Sequence, residues 1–279
     1  MSDIIAVVRE RILDAISKDR ITLPTLPEVA LDVRDVARNP QTTVAQLCSV
    51  LEKDAAIAAR IIKVANSPLF RGNKTIDNLK MATTRLGVRY TANFATGIAM
   101  KQIFQATTST VDDILRATWE KSTEIASYAH AYAQLKANLH ADQASLAGLT
   151  HRIGVLPILT YADENRKLLA STELLNEIIE ATHQEIGMHI LRTWDFPDEL
   201  VIVPMQYLNF ERDIPVADYT DLVTISILQG AENPGHPMAH VDLSKVKAFD
   251  RMGLRGAAEE AAQNQMVEHI ELAAAVFND

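Results

Sequence analysis

Hydrophobic residues recur at steps of three and four along most of the chain, which is the spacing of one face of an α-helix. The first such segment covers residues 3–19, where Ile4, Val8 and Ile12 fall on one face. No stretch alternates convincingly with the two-residue period of a half-buried strand. The pattern therefore predicts an all-α chain.

Short polar residues, prolines and glycines divide the first half of the chain into compact segments. Thr42 or Thr43 and Asp54 suit helix N-caps, and Gly87 lies where a helix should end. The helices predicted in this half cover 27–39, 43–53, 55–65 and 75–87. Such short, punctuated helices favour a compact bundle over a coiled coil.

The second half contains longer predicted helices. They cover 109–137, 142–162, 172–194, 198–208, 216–230 and 256–277. Pro157 falls inside the second of them and should kink or end it, because proline removes a backbone hydrogen bond. The last segment would form a terminal amphipathic helix. Its apolar stripe consists of Ala261, Met266, Ile270, Ala273 and Phe277.

The composition agrees with a helical, core-forming chain. Glycine and proline contribute 10 residues each to a chain of 279. Together they make up about 7% of the chain, whereas they make up roughly 12% of average sequences. Strand-rich folds need more turn residues than this. Hydrophobic residues make up 48% of the chain, which is enough to bury a core. The net charge of −9 argues against general nucleic-acid binding.

The single cysteine and the N-terminal residues indicate in which cell compartment the protein is expected. Cys48, the single cysteine, can form neither an internal disulfide nor a cysteine-based zinc site. The N-terminus lacks the basic and apolar regions of a secretory signal, and no uncharged apolar run reaches about 18 residues. The sequence therefore predicts a soluble, cytoplasmic protein without a membrane segment.

Only the histidines and their acidic neighbours suggest chemistry. Glu180 and His183 fall on one helix face, as in di-iron carboxylate bundles, but the chain has no second Glu-x-x-His. His151 lies in an apolar stretch, where a histidine usually makes a structural hydrogen bond. His236 and His240 have metal-like spacing but flank a predicted loop, so a surface position is expected.

An ordered series of motifs over about residues 20–230 resembles the HDOD domain, the HD-related output domain of bacterial signalling. The first half carries Leu23-Pro24-x-Leu26-Pro27, Leu51-x-x-Asp54, Ala65-Asn66-Ser67-Pro68 and Leu86-Gly87. The second half carries Ala147-Gly148-Leu149-x-His151-x-Ile153-Gly154, Glu180-x-x-His183 and Leu191-x-x-Trp194-x-x-Pro197. This module is related to the HD metal-dependent phosphohydrolases.

The resemblance implies a two-lobed, all-α fold in which a helical lobe precedes an HD-like bundle. Four units are expected: an N-terminal helix, the N-terminal lobe, the bundle, and a loop with an additional C-terminal helix. Their predicted ranges are 1–20, 21–105, 106–230 and 231–279.

HD hydrolases resemble one another in a histidine, an adjacent His-Asp pair and a distant aspartate that bind one or two divalent metals. Carried onto this chain, the first histidine position holds Lys121, and the pair is His151 followed by Arg152. His183 matches a frequent histidine. A later His-His position falls near 206–207, and the distant aspartate position near 226–227.

The residues at these positions argue against a metal-dependent activity. A lysine and an arginine at ligand positions repel a divalent cation, and arginine cannot deprotonate to become a ligand. Without a metal, nothing visible lowers the pKa of an attacking water. No cofactor is therefore expected, and the residues predicted to line a ligand pocket are Lys121, His151, Arg152 and His183.

The sequence thus predicts a stand-alone signalling or regulatory module without catalysis. It would act through a signalling protein partner, for which the 256–277 stripe is a candidate surface, or through a bound anionic small molecule. The alternative is a phosphohydrolase acting on a nucleotide or phosphoester with a divalent transition metal. Its reduced ligand set would be His151, His183, Glu180 and either Asp218 or Asp221.

Overall fold

The computed structural model describes residues 2–18, 20–70, 72–106, 108–255, 266 and 269–276, and its regular structure in these residues is entirely helical. The all-α prediction is confirmed. The first half forms α1 Ser2–Ser17, α2 Glu28–Ala37, α3 Val44–Leu51, α4 Ala55–Ala65, α5 Leu79–Leu86 and α6 Val88–Ala99. The second half forms α7 Ser109–Ala133, α8 Ala141–Thr150, α9 Val155–Glu164, α10 Thr172–Thr193, α11 Asp198–Val201, α12 Val203–Gln206, α13 Tyr219–Ile227 and α14 Lys247–Met252. Short 3₁₀ turns cover Met100–Ile103 and Leu243–Lys245.

Local capping explains where several N-terminal helices begin. Thr43 caps α3 in a reciprocal capping box with Gln46. Asp54 accepts hydrogen bonds from two backbone N–H groups at the start of α4. The fifth helix begins after Asn78 rather than at Thr75, because the Asn78 side chain caps it by accepting from a backbone N–H.

The prediction of one helix over 142–162 interrupted at Pro157 is wrong about the place of the break. The chain leaves helical structure between α8 and α9, and Pro157 lies in the first turn of α9. Proline is tolerated there because a backbone N–H in the first turn has no partner within the helix. The actual break places His151 and Arg152 in a turn between the two helices.

Two glycines allow close helix contacts in the bundle. A Cβ atom on Gly148 of α8 would lie 2.4 Å from the Cα atom of Ala126 on α7. A Cβ atom on Gly154 would lie 1.9 Å from the carbonyl oxygen of His183 on α10. These backbone approaches fix the 151–154 turn against both α7 and α10.

The bundle and the N-terminal helices share contacts and a continuous core. Helix α6 packs against both α2 and α8, and α1 packs against α10. At the end of α10, Trp194 donates a hydrogen bond from Nε1 to the carbonyl oxygen of Pro24 at 3.0 Å. Arg34 of α2 donates to the carbonyl oxygen of Trp194 at 2.6 Å. The division of the chain into the four predicted ranges stays a prediction.

The predicted terminal helix over 256–277 falls largely outside the described residues. Residues 266 and 269–276 are helical, and within them Met266 and Ala273 are buried while Ile270 is half-buried. Ala261 and Phe277, at the ends of the predicted stripe, lie outside the described part of the chain. Among the helices that the structure describes, none has the length and apolar character needed to cross a membrane.

Candidate functional site

A cavity of about 730 Å³ opens to solvent beside the bundle, since several of its wall residues, among them Asp113 and Lys121, are exposed. Its walls come from one face of α7, the turn between α8 and α9, the middle of α10, the ends of α12 and α13, and the 236–238 loop. The polar lining residues are Asp113, Thr118, Lys121, His151, Arg152, Asn176, Glu180, Tyr207 and His236. The apolar lining residues are Ile114, Ala117, Ile125, Ile227, Pro237 and Met238. The volume is that of a small-molecule pocket.

The positions that the family resemblance assigns to metal ligands converge on this cavity. Lys121, His151, Arg152, Tyr207 and Ile227 all line it, although they come from distant parts of the sequence. The cavity therefore lies where the HD resemblance places a metal centre, but the side chains around it include a lysine, an arginine and an isoleucine.

His151 forms part of the buried floor of the cavity. Its Nδ1 lies 2.6 Å from the carbonyl oxygen of Gly148, one turn earlier in the chain. Burial lowers the pKa of His151 to about 3, so the ring is neutral at physiological pH. A neutral ring that donates from Nδ1 leaves Nε2 as a hydrogen-bond acceptor.

His183 and Tyr207 form a buried hydrogen-bonded pair behind His151. His183 donates from Nδ1 to the carbonyl oxygen of Ile179 at 2.7 Å, and its Nε2 lies 2.8 Å from the Tyr207 hydroxyl. Burial, aided by the positive charge of Arg152, lowers the pKa of His183 to about 4. Burial also raises the pKa of Tyr207 to about 12. The neutral phenol therefore donates, and the neutral imidazole accepts.

Arg152 occupies the centre of the polar wall. Its Nη2 donates to Oε1 of Glu180 at 2.6 Å, and its guanidinium also interacts with the Tyr207 hydroxyl. Burial alone would raise the pKa of Glu180, but the hydrogen bond and charge of Arg152 outweigh it and hold that pKa below its ordinary value. The predicted pocket residues Lys121, His151 and Arg152 thus share one cavity, and His183 joins them through Tyr207.

The second cation of the cavity, Lys121, is also paired. Its Nζ lies 2.7 Å from Oε2 of Glu124, one turn along α7, and both side chains are about half exposed. Glu124 is not among the residues that line the cavity. From the sequence, these two cations could form an anion-binding pocket or pair with Glu120, Glu180 or Asp142. In the structure Arg152 pairs with Glu180, whereas Lys121 pairs with Glu124.

Asp221 does not belong to this site, so the alternative ligand set that included it needs correction. Both carboxylate oxygens of Asp221 are held by arginines: Arg251 donates to them at 2.8 and 2.7 Å, and Arg212 donates at 3.2 Å. Asp218 caps α13 and pairs with the same Arg212. These aspartates are structural ion-pair partners because their oxygens are already satisfied.

The donor set does not fit a divalent metal. Nε2 of His183 is engaged by Tyr207, and Arg152 binds the carboxylate of Glu180. Among the residues that the structure describes, no three histidine, cysteine, aspartate or glutamate side chains are grouped so as to hold a metal ion. Asp113 and His236 also line the cavity, but they are not grouped with His151 and Glu180 closely enough to complete a ligand set.

Four polar cavity residues were missed from the sequence: Asp113, Thr118, Asn176 and His236. Asp113 lies eight positions before Lys121, a spacing that places both on one face of α7 and could have indicated it. Asn176 lies one turn before Glu180 on α10 by the same reasoning. His236 lies in the loop that the sequence predicted, is half-buried there and also lines the cavity; its Nδ1 accepts a hydrogen bond from the backbone N–H of Met238 at 3.1 Å.

The family model of the HDOD domain matches residues 23–207, so the chain belongs to the HDOD family. A curated relative, an uncharacterised protein of Treponema pallidum (strain Nichols), is 24% identical over 225 residues, which cover 74% of this chain. The aligned part spans only 41% of that relative's length.

Solved structures share the fold. A protein of Shewanella amazonensis SB2B named "putative metal-dependent phosphohydrolase" is similar over 99% of this chain and 100% of its own, with a TM-score of 0.85 and 28% identity. An HDOD domain protein of Geobacter sulfurreducens covers 97% of this chain and 98% of its own, with a TM-score of 0.66 and 17% identity. A "putative signal transduction protein" of Marinobacter aquaeolei VT8 covers 94% of this chain and 61% of its own, with a TM-score of 0.65 and 22% identity. At such identities the last two show the fold alone.

Proposed function

We propose that this chain is a regulatory module of signal transduction that binds a small molecule in this cavity and does not hydrolyse it. Binding of the small molecule would change how the module contacts a protein partner. The observation that carries the proposal is the position of Arg152, which is held between Glu180 and Tyr207 at the place where the HD resemblance expects an acidic metal ligand. A fixed cation there opposes metal binding and leaves a pocket of ligand size.

The neutrality of the histidines supports a binding role over catalysis. His151 and His183 both have pKa values well below physiological pH because they are buried. They therefore act as fixed hydrogen-bonding groups rather than as proton-transfer groups, which work best with pKa values near the working pH. The remaining wall offers no nucleophile paired with such a base.

The first test is metal content by elemental mass spectrometry on tag-free protein. The protein is measured before and after incubation with Mn, Fe, Zn and Ni salts, and the same samples are assayed with p-nitrophenyl phosphate. We expect no metal above background and no phosphatase activity. A His151→Ala variant serves as the matched control. Stoichiometric metal that disappears in this variant would overturn the proposal.

The second candidate function is metal-dependent phosphohydrolysis. The observation in its favour is the full-length similarity to the Shewanella amazonensis SB2B protein, whose name carries that activity. In this case His151 and Glu180 would have to exchange their present partners for a metal. Metal-stimulated phosphatase activity that is lost in His151→Ala would support it.

A further inference from the structure

We infer that the cavity binds a monocarboxylic acid with an apolar body, whose carboxylate replaces Glu180 on Arg152. This inference rests on the proposed function and names the ligand class of the same site. It follows from how Arg152 is held, from the exposure of its present partner, and from the charges and apolar residues on the rest of the wall.

Arg152 is fixed from its inner side. The Tyr207 hydroxyl interacts with the guanidinium, and Tyr207 is itself fixed by the hydrogen bond to Nε2 of His183. The Arg152 side chain is only 23% exposed. A guanidinium held in this way is preorganised for a planar anion, because its N–H groups form a rigid fork that matches a carboxylate.

The outer partner of Arg152 is exchangeable. The Glu180 side chain is 50% exposed, whereas that of Arg152 is 23% exposed. Glu180 can therefore rotate into water at little cost, since an exposed carboxylate keeps its hydration. Arg152 cannot follow it without leaving Tyr207. A ligand carboxylate would thus take over an existing ion pair, with Glu180 acting as a stand-in when the cavity holds no acid.

The charge of the wall limits the ligand to a single negative charge. The charged groups that face the cavity are Arg152, Lys121, Glu180 and Asp113, two of each sign. Lys121 already pairs with Glu124. A monocarboxylate that displaces Glu180 keeps the balance around Arg152. A polyphosphate would bring several negative charges beside Asp113, and Lys121, even if it released Glu124, is one cation to meet them.

The rest of the wall fits an apolar body. Ile114 and Ile125 of α7, Ile227 of α13 and Met238 of the 236–238 loop also line the cavity. Branched aliphatic side chains and a methionine offer adaptable contact to an aromatic ring or a short acyl chain. One charged group on one apolar body is therefore the chemistry that the cavity recognises.

The test is isothermal titration calorimetry with four acids and two matched controls. The acids are benzoate, phenylacetate, indole-3-acetate and octanoate; the controls are phenylacetamide and pyrophosphate. We expect at least one acid to bind, phenylacetamide to bind roughly tenfold or more weakly than phenylacetate, and pyrophosphate not to compete. No binding by any acid, or equal binding of acid and amide, would overturn the inference.

Variants identify the residue that holds the acid. Arg152→Met should weaken binding roughly tenfold or more, because it removes the fork. Glu180→Gln should tighten binding, because it removes the competing carboxylate, and this variant stays informative if Arg152→Met fails to fold. Arg166→Met, at an exposed position outside the cavity, is the matched control and should bind as the unaltered protein does. If Glu180→Gln bound the acids more weakly than the unaltered protein or equally well, the displacement of Glu180 by the ligand carboxylate would be contradicted.

The failure of this inference and that of the proposed function are distinguishable. If phenylacetamide or pyrophosphate binds in the cavity independently of Arg152, the ligand class is wrong but a ligand-binding module remains. If the protein instead holds stoichiometric metal and hydrolyses phosphoesters, the proposed function itself is wrong.

Discussion

The Tyr207 hydroxyl donates a hydrogen bond to Nε2 of His183 over 2.8 Å, and both side chains are buried. Tyr207 also interacts electrostatically with Arg152, and its ring lies edge-on to the His151 ring, with ring centroids 5.1 Å apart. Tyr207 thus connects two histidines and an arginine along this side of the cavity.

Removal of that hydroxyl should cost stability. In Tyr207→Phe the acceptor Nε2 of His183 loses its donor inside the protein, and an unsatisfied buried polar group costs about 1–3 kcal/mol. Urea denaturation monitored by circular dichroism measures the free energy of unfolding. Tyr161→Phe, at a half-buried tyrosine of α9, is the control and should change that free energy by less than about 0.5 kcal/mol. Equal effects in the two variants would contradict the role of the pair.

Three buried histidines should make the protein less stable in mild acid. Burial lowers the pKa of His130 to about 4, that of His151 to about 3 and that of His183 to about 4. Between these values and the unfolded pKa of about 6.5, the unfolded chain binds more protons than the folded one. The free energy of unfolding therefore falls as pH drops from about 6.5, by at most about 1.4 kcal/mol per pH unit for each histidine.

Urea denaturation at pH 7.0, 6.0 and 5.0 checks this dependence. Replacement of His130 by glutamine should make the free energy of unfolding depend less steeply on pH, because one of the three buried histidines no longer contributes. His140→Gln, at an exposed position, should leave it unchanged. A free energy of unfolding that rises between pH 7 and pH 5 would show that the sign is wrong.

Gly154→Ala should be severely destabilising. The added Cβ would lie 1.9 Å from the carbonyl oxygen of His183 and 2.6 Å from the backbone nitrogen of Gly187, so α9 and α10 would have to separate. We expect a loss of more than about 3 kcal/mol, measured by chemical denaturation. Gly235→Ala is the matched control, because nothing lies within 4 Å of its added Cβ. A near-neutral result at Gly154 would mean that the two helices are not in backbone contact.

Asp221→Asn should reduce stability even in a buffer that contains a chelator. The Asp221 side chain is 1% exposed and pairs with Arg212 and Arg251, whose side chains are 9% and 10% exposed. Loss of the charge leaves two buried arginines undercompensated, at a cost of about 3–5 kcal/mol. Asp213→Asn, whose partner is Lys247 and whose side chain is 92% exposed, should have little effect. Destabilisation that appears only after chelation would instead favour a metal ligand.

Local features of the fold were predictable from the sequence. Thr43 and Asp54 cap their helices because an N-cap depends only on the next three residues. The break before α9 was not predictable in this way. Its position depends on the close approach of Gly154 to α10, a contact between residues about 30 positions apart in sequence.

The candidate site was predictable only where the family resemblance supplied an alignment. Lys121, His151 and Arg152 reach the cavity as that alignment indicated. The pairing of Arg152 with Glu180 was only one of several possibilities in the sequence, since the geometry of the turn between α8 and α9 decides it. His236 was assigned to a surface loop because its surroundings are turn-forming; that this loop borders the cavity together with α7 depends on the tertiary fold and not on the local sequence.

Helix α10 has a mechanical consequence beyond the cavity that it borders. It carries Glu180 near its middle, and Trp194, immediately after its last residue, is held by Pro24, in the segment before α2, and by Arg34 of α2. Fourteen positions separate the two residues, which is about 21 Å along a helix axis. Because the Gly154 contact leaves no room beside His183, a shift of α10 at the cavity would also change the contacts of Trp194 with Pro24 and Arg34. The helix therefore joins the cavity wall to the contacts between the two halves of the chain.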